Sequence, residues 1–179
     1  MKLNKRPKLI LVDRDGCINR KASDGEYVYK IEDFVIFPDV AKFFLDCENL
    51  EIRTAIITNQ QGIGKGIYSE LDVANLHSKF IEFCGLKHHV PSIHFCPHLE
   101  GACDCRKPQP KLILEALRAN NVTAEDAIFI GDSEKDRQAA INAKVFFIEM
   151  RRDDSSAGLF EKPSITSFEE IDLGIGSEQ

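Results

Sequence analysis

LILVDRDG, residues 9–16, decides the fold. Four apolar residues followed at once by an aspartate read as a strand buried on both faces that delivers a polar group at its carboxyl end, as strands of a parallel sheet do. Working outward, the same design recurs in TAIITN (54–59) and AIFIGD (127–132), and a further apolar run, KVFFIEM (144–150), follows. Between these runs lie helical patterns over 40–49, 69–84 and 111–120, with a shorter one over 132–142. Ser69 with Asp72 three residues on has the arrangement of a capped helix start. A short strand and helix are predicted around 165–171, within a polar tail that begins at Asp153. Strands alternating with helices predict an α/β fold with a mostly parallel sheet. With no internal repeat and no low-complexity linker, residues 1–179 read as one domain.

Composition narrows the function classes. The chain is 43% apolar, enough for a core, and carries a net charge of −6 with a pI near 5.4. That balance argues against a dedicated nucleic-acid binder, while leaving room for a local basic pocket around a small anion. The basic start MKLNKRPK has no apolar segment behind it of the secretory kind. No run approaches the roughly 18 apolar residues of a membrane span. The expectation is a soluble cytoplasmic monomer with no nucleic-acid or membrane partner.

Function enters at the strand ends, since open α/β sheets form their sites outside the carboxyl ends of the strands. Asp13 and Asp15 leave the first strand two residues apart, and extended chain would aim them the same way. One carboxylate can attack while the other gives or takes a proton. Asp132, after Gly131, completes a set of hard oxygen ligands suited to Mg²⁺, which takes few protein carboxylates and keeps room for water and phosphate oxygens. Thr58 offers a hydroxyl to a phosphoryl oxygen, and Lys107 a compact positive charge. These are the parts phosphoryl transfer requires. Each has an ordinary reading when alone: a turn, a helix cap, a solvated lysine. Their joint order is what carries the chemistry.

HFCPHLEGACDCRKPQP (94–110) holds three of the six cysteines. Cys96 with His98, and Cys103 with Cys105, make a Cys₃His set suited to tetrahedral Zn²⁺. With all four positions supplied by protein, no water is left to activate, so the zinc is read as structural. Cys47 and Cys84, in apolar helical contexts, read as buried inert thiols. His94 has the wrong spacing for a ligand, and His77, His88 and His89 read as surface or packing residues. QGIGKG (61–66) lacks the full spacing of a nucleotide-binding loop and reads as a flexible substrate-specificity loop.

LVDRDGCIN, IITNQQGIGKG, CRKPQP and IFIGDSEKD resemble the four motifs of the haloacid dehalogenase superfamily of phosphatases. EYVYKIEDFVIFPDV and the CPH…CDCRKP block narrow the resemblance to its heptose-bisphosphate phosphatase and histidinol-phosphatase branch, over about residues 9–150. The resemblance implies a Rossmann-like three-layer sandwich with a minimal cap and a zinc-bound loop. It implies Asp13 as nucleophile and Asp15 as the acid and base. It implies Mg²⁺ held by Asp13, Asp132 and the backbone carbonyl of Asp15. Thr58 and Asn59 would bind the phosphoryl group, Lys107 would neutralise it, and Asp136 would orient Lys107. Arg106, Asn19 and Gln60 would contact a small phosphorylated metabolite, in first place D-glycero-D-manno-heptose 1,7-bisphosphate at its C7 phosphate.

Two features pull toward other substrates. The spacer HLEGA between His98 and Cys103 is short, which suits histidinol phosphate, and Ser133 stands where the branch has a basic residue. Another sugar phosphate, and a polynucleotide 3′-phosphate, are further alternatives. A zinc-stapled binding module without catalysis is the alternative of a different class.

Overall fold

The computed structural model describes residues 1–3, 5–23, 25–152 and 163–174. Six strands, β1 (Leu9–Val12), β2 (Arg53–Asn59), β3 (Ser92–Cys96), β4 (Ala127–Gly131), β5 (Phe146–Met150) and β6 (Ser164–Ile165), form one sheet in the order β3-β2-β1-β4-β5-β6. Every strand pairing in it is parallel. Four helices surround it: α1 (Val40–Asn49), α2 (Glu70–Cys84), α3 (Lys111–Ala119) and α4 (Glu134–Ala143). The part of the polar tail over 153–162 lies outside the described residues. Among the described residues no helix is long and apolar enough to cross a membrane.

The run LILV explains the layering. Alternate side chains of a strand point to opposite faces. Ile10 and Val12 join one buried cluster with Phe44 of α1, Phe80 of α2 and Phe168. Leu9 and Leu11 join the other, with Leu112 and Ile113 of α3 and Ala139 and Ala140 of α4. All four side chains of β1 are fully buried, each removal from water contributing about 1.5–3 kcal/mol. Helices on both faces of a parallel sheet make the three-layer α/β/α sandwich that the strand–helix alternation predicts.

The ends of the elements follow local chemistry. Ser69 caps α2 by accepting from the Asp72 N–H at 3.3 Å while Asp72 accepts from the Ser69 N–H at 2.8 Å. The short tail strand and the 3-10 turn at Phe168–Glu170 fall where the sequence predicts them. The sequence reading has no counterpart for β3. SIHFC is an edge strand, half-buried and half-polar, so it shows neither the continuous apolar run of a central strand nor a clean alternation. The parallel pairing sends the carboxyl ends of all six strands to one edge, where the candidate residues collect.

Candidate active site and thiolate cage

Asp13 follows the central strand β1, and its carboxylate faces a buried lysine. Lys107 Nζ lies 2.8 Å from Asp13 Oδ1, 2.5 Å from Asp136 Oδ1 and 2.9 Å from the Ile57 carbonyl. An ammonium has three hydrogens, so all are used, and the charge also lies 5.7 Å from the Phe129 ring centroid. Asp13 Oδ1 accepts a further bond from the Arg14 N–H at 2.8 Å.

Asp136 is placed by a helix cap. The Ser133 side chain accepts from the Asp136 N–H, and Asp136 Oδ2 accepts from the Ser133 N–H at 3.1 Å and from its hydroxyl at 2.5 Å. That capping box fixes one oxygen of Asp136 and leaves the other for Lys107. Ser133, which in the sequence reads as a missing basic residue, is thus the group that starts α4.

Asp13, Asp132 and Asp136 bring carboxylate oxygens within 4.8 Å of one another. Burial first, then the charge of Asp136, pushes Asp13 up to about 8, against the pull of Lys107. Burial pushes Asp132 to about 6, opposed by Lys21. Lys21 Nζ holds Asp132 Oδ2 at 2.6 Å, and the other oxygen, Oδ1, is buried without a partner. Crowded carboxylates with one oxygen orphaned are a donor set that a hard divalent cation fits. Gly16 makes the approach possible: its φ is +91°, and a Cβ there would sit 1.8 Å from Asp132 Oδ2.

Asp15 is held separately. The chain turns at Arg14, whose carbonyl accepts from the N–H groups of Cys17, Ile18 and Asn19. The shared direction expected of extended chain is therefore lost, and the Asp15 carboxylate stands outside the cluster of three. Buried Arg14 grips it with Nε at 3.2 Å from Oδ1 and Nη2 at 3.0 Å from Oδ2. Asn19 Nδ2 donates to Oδ1 at 2.9 Å and Gln60 Nε2 to Oδ2 at 3.2 Å. Asn19 and Gln60, expected at the substrate, are 0% and 1% exposed and spend these donors on Asp15. Asn59 is likewise turned inward. It accepts from the Lys107 N–H at 3.0 Å and donates to the Lys107 carbonyl at 3.1 Å, clasping the lysine's backbone. Thr58 stands beside them at 1% exposure, its Oγ1 accepting from Gln60 Nε2 at 2.7 Å. Sequence reasoning passed over Arg14, although it sits inside DRDG itself; a charged residue sharing a strand end with two carboxylates is the signal.

Arg106 keeps Nε and Nη1 buried without partners. A cavity of about 650 Å³ opens beside Gly16 and Asp132, lined also by Arg20, Lys21 and Arg151. Cations therefore line the cavity that reaches Asp132.

The second cluster is the cage at the end of β3. Cys96 Sγ lies 3.5 Å from Cys103 Sγ, 3.3 Å from Cys105 Sγ and 3.7 Å from His98 Nδ1. Cys105 Sγ lies 3.4 Å from Cys103 Sγ and 3.4 Å from His98 Nδ1. Sulfurs 2.3 Å from a tetrahedral Zn²⁺ stand about 3.8 Å apart, so these separations are those of a slightly contracted tetrahedron. They far exceed the about 2.05 Å of a disulfide. Against the upward push of burial, the N–H groups of Cys105 and Arg106 bring the Cys103 thiol down to about 7. The cage is tied into the sheet, because Cys96 pairs with Asn59 and its carbonyl accepts from the Gln60 N–H at 2.8 Å. The QGIGKG loop docks on it through a bond of 2.9 Å from the Gly64 N–H to the Pro97 carbonyl, and folds on itself through successive turns. Among the described residues no other histidine joins a metal-capable cluster: burial pushes His77 down to about 3 beside Arg14, and the backbone N–H groups of His88 and His89 bind the Glu48 carboxylate.

The family model for haloacid dehalogenase-like hydrolases matches residues 24–150. A D-glycero-alpha-D-manno-heptose-1,7-bisphosphate 7-phosphatase of Campylobacter jejuni is 38% identical over 160 residues, covering 87% of this chain and 88% of that protein. A D-glycero-beta-D-manno-heptose-1,7-bisphosphate 7-phosphatase of Helicobacter pylori is 38% identical over 141 residues, covering 77% and 80%. The crystal structure of D,D-heptose 1,7-bisphosphate phosphatase from B. bronchiseptica, complexed with magnesium and phosphate, superposes with a TM-score of 0.74 at 26% identity, covering 80% of each chain. A match over most of the chain in sequence and in fold leaves one assignment: this protein belongs to the haloacid dehalogenase-like hydrolase family.

Proposed function

We propose that the protein is a Mg²⁺-dependent phosphomonoester hydrolase that removes the C7 phosphate of a D-glycero-D-manno-heptose 1,7-bisphosphate through an aspartyl-phosphate. The observation that carries the chemistry is the Asp13 carboxylate held 2.8 Å from a buried lysine at the carboxyl end of the central strand. The names of the relatives carry the substrate.

Asp13 attacks phosphorus in line, the bond to the C7 oxygen breaks, and Asp15 protonates the departing alcohol. Asp15 then takes a proton from water as the water attacks the aspartyl-phosphate, releasing phosphate and restoring Asp13. Thr58 donates to a phosphoryl oxygen. Lys107, its hydrogens committed, acts by charge, at the focus of a water-poor site. Asp13, Asp132 and the Asp15 carbonyl would hold Mg²⁺, which would supply charge to keep the crowded carboxylates ionised and to offset the phosphoryl oxygens. Asn59, Asn19 and Gln60 hold the working residues and do not contact the ester. Cys96, His98, Cys103 and Cys105 would hold a structural Zn²⁺: Arg106 and Lys107 follow directly on Cys105, so the metal would fix the point from which both cations act on the ester.

Arg106, with two guanidinium nitrogens unmatched, binds the part of the substrate that a simple ester lacks. Arg106→Ala is expected to raise KM for the bisphosphate about tenfold or more, and for p-nitrophenyl phosphate much less. Steady-state kinetics on both esters measures this, and equal effects would remove its role in specificity.

The test of the substrate is a ranking of kcat/KM over both anomers of heptose 1,7-bisphosphate, histidinol phosphate, fructose 1,6-bisphosphate and a 3′-phosphorylated oligonucleotide. Both anomers are included because the two relatives are named for different ones. A heptose bisphosphate is expected to lead; histidinol phosphate in first place would overturn the reading.

A further inference from the structure

The bonds around Asp15 and Thr58 continue one layer deeper. We propose that Tyr68 is a positioning residue for the transfer site: its hydroxyl anchors Gln60 Oε1 and so holds Nε2 on Thr58 and Asp15, which leaves the Thr58 hydrogen for the phosphoryl oxygen. The inference rests on the phosphatase reading above.

Tyr68 donates to Gln60 Oε1 at 2.7 Å. A phenol can donate or accept, but a carboxylate only accepts, so Asp15 draws Nε2 to its side and Oε1 is left to take the Tyr68 hydrogen. The two hydrogens of Nε2 then meet Thr58 Oγ1 at 2.7 Å and Asp15 Oδ2 at 3.2 Å. A hydroxyl has one hydrogen, and Thr58, having accepted from Gln60, keeps it to donate outward. With the amide reversed, Oε1 would take that hydrogen and set its lone pairs against the Asp15 carboxylate. Gln60 is 1% and Tyr68 7% exposed, so bulk water does not stand in for the phenol.

Tyr68 is itself locked. Its ring stacks on Tyr29 with centroids 5.2 Å apart at 10°, and meets Tyr27 edge-on at 5.8 Å. A Cβ on Gly62 would lie 2.0 Å from Tyr68 Cε1, so only glycine lets the loop rest on the ring. Burial pushes the phenol up to about 12, which keeps it a donor across the range in which the enzyme works. The three tyrosines of the chain thus join the segment around 27–29 to the loop after β2, and the join ends on the two groups that handle the phosphoryl oxygen and the leaving group.

A structural role and a positioning role separate by leaving group. A sugar alkoxide needs the proton of Asp15, whereas p-nitrophenolate departs without it. For Tyr68→Phe, kcat is expected to fall about tenfold on p-nitrophenyl phosphate through Thr58, and several-fold further on the best sugar phosphate through Asp15, with KM within about twofold on both. Tyr27→Phe, which removes the hydroxyl that accepts from Gln61 Nε2 at 3.1 Å, keeps the wild-type ratio of the two kcat values. A wild-type kcat and ratio in Tyr68→Phe overturns the proposal, whatever happens to Tm. If Tyr68→Phe does not fold, Gln60→Glu answers in its place: it keeps the shape and replaces the Nε2 donor with oxygen. The same fall in ratio is expected there, and an unchanged ratio overturns the proposal. A wild-type enzyme inactive on both esters would instead sink the phosphatase reading itself.

Discussion

Asp13→Asn is expected to lower kcat on p-nitrophenyl phosphate with Mg²⁺ by at least about 10³-fold while leaving the fold intact. The amide is isosteric with the carboxylate. Its Oδ1 can still accept from the Arg14 N–H and from Lys107, the two partners the carboxylate has now. What it cannot do is attack phosphorus. Equal activity in variant and wild type, or none in either, would sink the enzyme reading in favour of a zinc-stapled binding module. The same variant makes a statement about stability. Burial and the Asp136 charge raise Asp13 to about 8 in the folded protein, whereas an unfolded aspartate titrates near 4. A carboxyl raised on folding contributes stability that is complete below about pH 4 and is lost as the pH climbs toward 8. Asparagine has no such loss. In magnesium-free buffer, Asp13→Asn should therefore melt above the wild type at pH 7–8, and the gap should close toward pH 4. Thermal melts without chelator measure this, since a chelator would also strip zinc. A gap that widens toward acid would mean that the charge crowding at the strand ends has been misjudged.

Cys103→Ala is expected to lower Tm by roughly 10 °C and to abolish one equivalent of bound zinc per chain. The distances within the cage make the case. Among Cys96, Cys103, Cys105 and His98, every sulfur touches at least two other ligands at 3.3–3.7 Å. Without an ion the four atoms have only weak S–H bonds to hold them together. The loss should travel in two directions. Along the chain it reaches Lys107, two residues beyond Cys105. Across the sheet it reaches Asn59, which pairs with Cys96 and clasps the Lys107 backbone. Activity should therefore fall with zinc content, as kcat more than as KM. Metal analysis and melts on wild type and variant decide the matter. A variant with unchanged Tm and unchanged activity would remove the structural zinc, whatever the shape of the cage.

Much of this site is legible in the sequence because its parts are backbone-local. α1 is found at its predicted bounds, and α2 starts at the Ser69 cap, since capping boxes and 3.6-residue periodicity are written within one turn of chain. The Cys and His ligands declare themselves by number and spacing. What the sequence does not carry is direction. Asn59, Gln60 and Asn19 lie in the right motifs, yet all three face inward. Gln60 and Asn19 are nine-tenths buried or more, and their amides satisfy Asp15 and Thr58, while that of Asn59 clasps the Lys107 backbone. Nothing local distinguishes an amide that meets substrate from one that holds a catalytic neighbour. The tight turn at Arg14 is the other case: it separates two aspartates that period-two reasoning aims together, because the strand ends at Val12, one residue before the first of them.

The register of β1 has a consequence for how the enzyme comes into being. Leu9 pairs with Arg53 on one side and with Ala127 on the other. The strand that leads into Asp13 is made before both of its neighbours, and it gains the second only after more than a hundred further residues have been made. Until then Asp13 has neither Asp132 nor Asp136 beside it, and two-sided pairing of this kind is a late, non-local event. A nascent chain already displaying DRDG is therefore inert, and catalytic competence arrives together with closure of the sheet.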